Sequence, residues 1–347
     1  MDNIQAKKVL EEINFGDIDG FGDPNLERYF LDSDYWNRII ESDKYFVIGR
    51  KGTGKSAIYR IIKEQGEQNG HIVENTDFGE FPFERLLNLD DNDFSAPNQY
   101  QSIWKHLILN LFSQMITRNN SADESNVHYK EILLYVEKCI GKNVLDLHKE
   151  SMHMVQKTSL GLQLTHTAIG HEFENTESFG INTNNITRLN SHLQRTIEQY
   201  LVSCDHEVKF IIQFDRLDDN YNQYQNLDKY FQAIISLFKV VYEINQKYRQ
   251  KSINNAKIVL YLRSDILLQL AKRDAESARW DAFRLDINWA VVNRDDWNNP
   301  MLLQMINKRI AASLSNMTGT VNKSSQLGDS EVLIKQRSEA VFPWIEG

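Results

Sequence analysis

Apolar positions along the chain change their period several times, and each change marks an element. Lys44-Tyr45-Phe46-Val47-Ile48 is a short, nearly unbroken apolar run that stops at Gly49. Such a run is the pattern of a strand covered on both faces of a parallel sheet. His71–Asn75, Val208–Phe214, Lys257–Leu262 and the shorter Phe283–Ile287 read as four more strands. Between them the period lengthens to that of helices. Ile58, Ile61 and Ile62 carry one helix to about Gln68, where Asn69-Gly70 signals a turn. Trp104, Leu107, Ile108, Leu111, Phe112 and Met115 make Tyr100–Thr117 a strongly amphipathic helix. Leu189–Val202, Leu227–Ile244 and Met301–Ile310 follow the same rule. Ahead of the first strand, Leu26, Tyr29 and Phe30, then Trp36, Ile39 and Ile40, predict two short helices broken at Asp32-Ser33-Asp34.

Strands alternating with helices predict a three-layer α/β fold on a parallel sheet. Residues 1–43 are expected as N-terminal lead-in helices, 44–117 as the first half of the core and 191–313 as the second half. Residues 78–98 read as an acidic connection and 314–347 as a C-terminal tail. Residues 118–190 are the least regular part and are expected to be a mostly helical insertion. Within them Ser159–Leu164 alternates like a strand and Asn182–Asn185 reads as polar loop.

The junction between the first strand and the first core helix carries the sharpest chemical signal. Gly49-Arg50-Lys51-Gly52-Thr53-Gly54-Lys55-Ser56 fits G-x-x-x-x-G-K-[ST]. Glycines admit the positive φ values that turn successive N–H groups inward, and those groups with the helix N-terminus suit a polyphosphate. Lys55 is expected against the β- and γ-phosphates and Ser56 on Mg²⁺. Arg50 and Lys51 are not fixed by the pattern and have phosphate, a partner or solvent open to them.

A metal bound this way needs a carboxylate at the end of a neighbouring strand. Asp215, after Phe210–Phe214, is that candidate. The glutamate that often follows such an aspartate is replaced by Arg216, so Asp218 and Asp219 are the candidates for positioning water. At the next strand end, Arg263 or Ser264 is expected to sense the γ-phosphate, while Ser264 or Asp265 also suits a helix cap. Arg284 and Arg309 are candidates for an arginine finger.

Composition narrows the classes. No apolar run reaches the ~18 residues of a membrane span, and Met1–Gln5 shows no signal-peptide pattern. Two cysteines, Cys139 and Cys204, cannot build a disulfide framework, so a reducing cytoplasm is expected. The formal charge of −9 gives no general help in binding nucleic acid, although a local basic groove stays open.

Taken together, Gly49–Ser56, Asp215-Arg216-Leu217-Asp218-Asp219 and Leu262-Arg263-Ser264-Asp265 resemble the bacterial P-loop ATPases of the KAP and STAND groups. Phe15-Gly16, Tyr29-Phe30, Asp286-Ile287-Asn288-Trp289 and Lys308-Arg309 add to the likeness, which spans most of the chain outside about 118–190. The resemblance implies an additional-strand P-loop NTPase core with strand order 5-1-4-3-2. It also implies ATP and Mg²⁺ as cofactors, and hydrolysis used as a regulatory switch in phage defence, signalling or DNA-associated systems. A homo-oligomer is one implied assembly. The effector domain common in such proteins is not evident, which leaves a separate effector protein or a shortened chain. Rival readings are a DNA-acting motor or nuclease partner, a small-molecule kinase and a non-hydrolysing nucleotide-binding module. No Asn-Lys-x-Asp motif points to GTP, and no Leu-Ser-Gly-Gly-Gln motif points to a transporter ATPase.

Overall fold

Strands β1 (Phe46–Gly49), β2 (Ile72–Asp77), β3 (Phe210–Asp215), β4 (Ala256–Arg263) and β5 (Arg284–Ile287) pair in parallel in the order β2-β3-β4-β1-β5 in a computed structural model of the chain. This is the expected order 5-1-4-3-2 read from the opposite edge. The structure describes residues 20, 22–79, 86–87, 98, 100–119, 121–137, 183–204, 207–217, 226–288 and 301–317. The central strands β1 and β3 are buried along their whole length and β4 all but its last residue. β2 and β5, at the edges, are only partly covered, which is why Phe283–Ile287 gives a weak apolar signal.

Parallel strands need crossovers, and the crossovers put helices on both faces. Alternation sorts the strand residues. Phe46, Ile48, Phe210, Ile212, Phe214, Ile258, Leu260 and Leu262 join one core with two long helices, α3 (Gln101–Thr117) and α6 (Leu227–Gln250). Phe46 stacks on Phe238 of α6 at 4.7 Å between centroids. On the opposite face Val47, Val73, Ile211, Val259 and Tyr261 are buried. There α2 (Lys55–Gln68) sets Tyr59 edge-on to Tyr261 at 5.6 Å. Beside it lies a π-helical turn, Trp36–Ile40, where a second short helix is expected. Lys257 reaches this turn from β4. Its ammonium donates to Ile39 O at 2.5 Å, Ile40 O at 3.1 Å and Ser42 O. Burial drives its pKa down to about 7, while three carbonyl acceptors favour the protonated form.

Helix α3 departs from the amphipathic expectation. Its residues Ser102–Thr117 are buried nearly all round, apart from Lys105 and Thr117. The outer face that its polar residues mark as solvent-facing is roofed by α4 (Val127–Tyr135) and α5 (Thr183–Ser203). Those polar residues make bonds to the roof. Tyr135 donates to Asn110 Oδ1 at 2.5 Å, and His106 Nδ1 lies 2.8 Å from Asn190 Oδ1. Asn190 in turn donates to Ser102 O at 2.7 Å. α5 begins at Thr183, so Asn184 and Asn185 are helical rather than loop. The strand-like Ser159–Leu164 lies outside the described residues.

The chain forms two compact units, Tyr35–Ile287 and Met1–Asp34 with Asn288–Gly347. In the second, α1 (Leu26–Tyr29) meets α8 (Met301–Met317), with Arg309 over the Tyr29 ring at 4.7 Å and Lys308 donating to Phe30 O at 2.9 Å. Among the described residues no helix is long and apolar enough to cross a membrane.

His106 generates a pH dependence. Burial lowers its pKa from 6.5 to about 4, against the opposing bond to Asn190. Between those values the unfolded chain binds a proton that the folded chain refuses, so stability falls as pH drops through this window, by about 3 kcal/mol in full. Urea midpoints measured from pH 7.5 to 4.5 are expected to fall more steeply for the wild type than for His106→Gln. Parallel slopes would contradict the assignment.

Candidate functional site

β1 ends at Gly49, which is in register with Arg263 of β4 on one side and Ile287 of β5 on the other. The chain then turns tightly. Thr53 N donates to Arg50 O at 3.3 Å, and Thr53 Oγ1 donates to the same carbonyl at 2.9 Å. Gly52 and Gly54 take φ of 80° and 83°, where a side chain costs about 1–2 kcal/mol. Gly49 is needed for a different reason. A methyl group there would lie 2.4 Å from Thr53 Oγ1 and 3.3 Å from Ile287 Cβ. Gly54 stands at the cap position of α2, which has no side-chain cap bond.

Lys55 opens the helix and is only 9% exposed. Its ammonium spans the loop and donates to Gly49 O and Arg50 O, both at 3.1 Å. Ser56 follows in the first turn and is half-buried. Arg50 and Lys51 are exposed.

Asp215 closes β3 at the same edge of the sheet and is 2% exposed. It shares the α2 face with Ile211 and Gln213, four and two residues before it. Beneath it lies a buried polar network. Gln213 Nε2 donates to Asn75 Oδ1 at 2.8 Å and to Tyr59 O at 3.1 Å, and Gln213 Oε1 accepts from Tyr261 at 2.6 Å. The network joins β2, β3 and β4 to α2 directly below the loop. Burial first, and the Asp215 charge second, push the hydroxyls of Tyr59 and Tyr261 well above the ordinary phenol range.

Two arginines at this edge have acidic neighbours. Arg263 donates to Asp265 at 3.0 and 2.6 Å, and that bond holds the Asp265 carboxyl below its ordinary range. Arg263 is also the cap position of α7 (Ser264–Ala271), and its side chain makes no cap bond. Arg216 pairs with Asp77 at 2.9 Å. Arg284 opens β5 beside Phe46, at the opposite edge of the sheet, and is tied to Asp281 at 2.7 Å and Asp286 at 2.9 Å. Asp218 and Asp219 lie outside the described residues.

The structure therefore brings Gly49–Ser56, Asp215 and Arg263 to one edge. It adds Asp77, Tyr59, Gln213 and Tyr261, which the sequence reading did not single out. The polar Asn75 and Gln213 inside strand runs were the available signal. Among the described residues no three His, Cys, Asp or Glu side chains cluster as a metal site. Ser56 and Asp215 each carry an oxygen that could take part in holding a hydrated Mg²⁺, which needs few protein ligands.

The close approach at Gly49 is testable. Gly49→Ala is expected to destabilise the fold by about 1–3 kcal/mol through overpacking. Adding Thr53→Ala is expected to recover more than half of the loss in thermal midpoint, and no recovery would show that the clash lies elsewhere. No protein-family model, curated protein or solved structure matches this chain.

Proposed function

We propose that the chain binds a nucleoside triphosphate, ATP with Mg²⁺, in the Gly49–Ser56 loop and hydrolyses it as a regulatory switch. The observation that carries this reading is the join between a buried parallel strand and a helix, with two left-handed glycines and a lysine held inside the turn. The strand order supports it, because β4 separates β1 from β3, as the additional-strand P-loop core requires. In this reading Lys55 leaves its two carbonyls for the β- and γ-phosphates. Ser56 and Asp215 hold Mg²⁺, Asp215 through water. Arg263 senses the γ-phosphate by exchanging Asp265 for it. The KAP and STAND resemblance suggests the switch role and a separate effector. Arg216, ion-paired where a glutamate is usual, favours a second reading: binding without turnover.

Binding and turnover are measured separately with a fluorescent ATP analogue and by phosphate release. Lys55→Ala is expected to weaken triphosphate binding on the order of 100-fold and to abolish release. Asp215→Asn is expected to keep binding within about tenfold while losing Mg²⁺-dependent release on the order of 100-fold. Unchanged binding by Lys55→Ala would sink the site assignment. Binding without release by the wild type would select the second reading.

A further inference from the structure

We propose that Asp77, at the end of β2, is the carboxylate that orients and deprotonates the attacking water, with Arg216 as its positioning residue. This rests on the triphosphate reading above.

Asp77 and Asp215 are register partners on adjacent strands. Matched positions on parallel neighbours point to the same face about 4.8 Å apart, so both carboxylates rise on the α2 side. Both charges act on the Tyr59 hydroxyl beneath. The Asp77 side chain is 10% exposed. Its Oδ1 accepts from Gly79 N at 2.7 Å and its Oδ2 from Arg216 Nη1 at 2.9 Å. Each oxygen keeps a second lone-pair direction for a water. Arg216 takes a left-handed backbone, φ 61°, costly for a residue with a side chain. That turn lays its guanidinium against Gly79, where a methyl group would lie 2.9 Å from Cζ. The position after Asp215 thus supplies a cation that aims an acid on the neighbouring strand.

In the step, the water oxygen bonds to the γ-phosphorus as the bond to the β,γ-bridging oxygen breaks. ADP leaves with that electron pair. The water proton passes to Asp77 and then to the released phosphate.

Full-length protein is assayed with the fluorescent analogue, by phosphate release and by thermal midpoint. Asp77→Asn is expected to bind within threefold of wild type and release phosphate at least thirtyfold more slowly. Arg216→Met is expected to bind normally and slow release three- to tenfold. The double variant should be no slower than Asp77→Asn alone. Asp77→Glu, which keeps the charge, gives a second measure should the Asn variant not fold, with normal binding and at least threefold slower release. Release within threefold of wild type by either Asp77 variant overturns the proposal, as do additive losses in the double variant. Arrest by Asp218→Asn or Asp219→Asn with Asp77→Asn still active also overturns it. Wild-type binding without release overturns this proposal alone, whereas absence of triphosphate binding overturns the site assignment as well.

Discussion

The side-chain amide of Gln213 fixes the relation between the sheet and the loop above it. It lies fully buried in β3, where an unmade bond from an amide costs about 1–3 kcal/mol. Its nitrogen and its oxygen are both used, and the partners come from β2, β4 and the main chain of α2. Such a network is worth having only when complete, and completion allows one arrangement of those elements. Helix α2 cannot slide along the sheet without breaking it. The start of α2, with Lys55 and Ser56, is therefore held at a fixed height over the edge where Asp215 and Asp77 end their strands.

Much of this was legible in the chain because burial on both faces leaves an unambiguous trace. Phe46–Ile48, Phe210–Phe214 and Lys257–Leu262 read as strands since nothing polar is tolerated on either side, Gln213 and Lys257 excepted. Those two exceptions proved to be the polar anchors, one for α2 and one for the turn Trp36–Ile40. Helix α3 misled the period argument. His106, Asn110 and Gln114 mark a polar stripe, and a stripe looks the same whether it faces water or other polar side chains. Only the placement of Tyr135 and Asn190 decides between the two. Asp77 was invisible for a related reason. It ends an edge strand whose residues are half-exposed, so one more carboxylate there carries no periodic signal.

Charge at the carboxyl edge is arranged in short-range pairs. Arg216 and Arg263 stand at the ends of neighbouring strands, and each has an aspartate within 3 Å. An anion approaching Arg216 or Arg263 meets a cation that is already partly compensated. It must displace a carboxylate to gain a guanidinium, so the attraction is local and depends on fit rather than on long-range steering. The acidic total of the chain points the same way.

The ammonium of Lys55 bears on selectivity. It braces the turn from inside, through the carbonyls of Gly49 and Arg50. A ligand too short to reach that ammonium leaves the brace in place and gains only backbone contacts. One long enough must offer more than two neutral oxygens do before the lysine changes allegiance. On the proposed triphosphate reading, a turn built this way would measure the length of a phosphate chain before any part of the base is read.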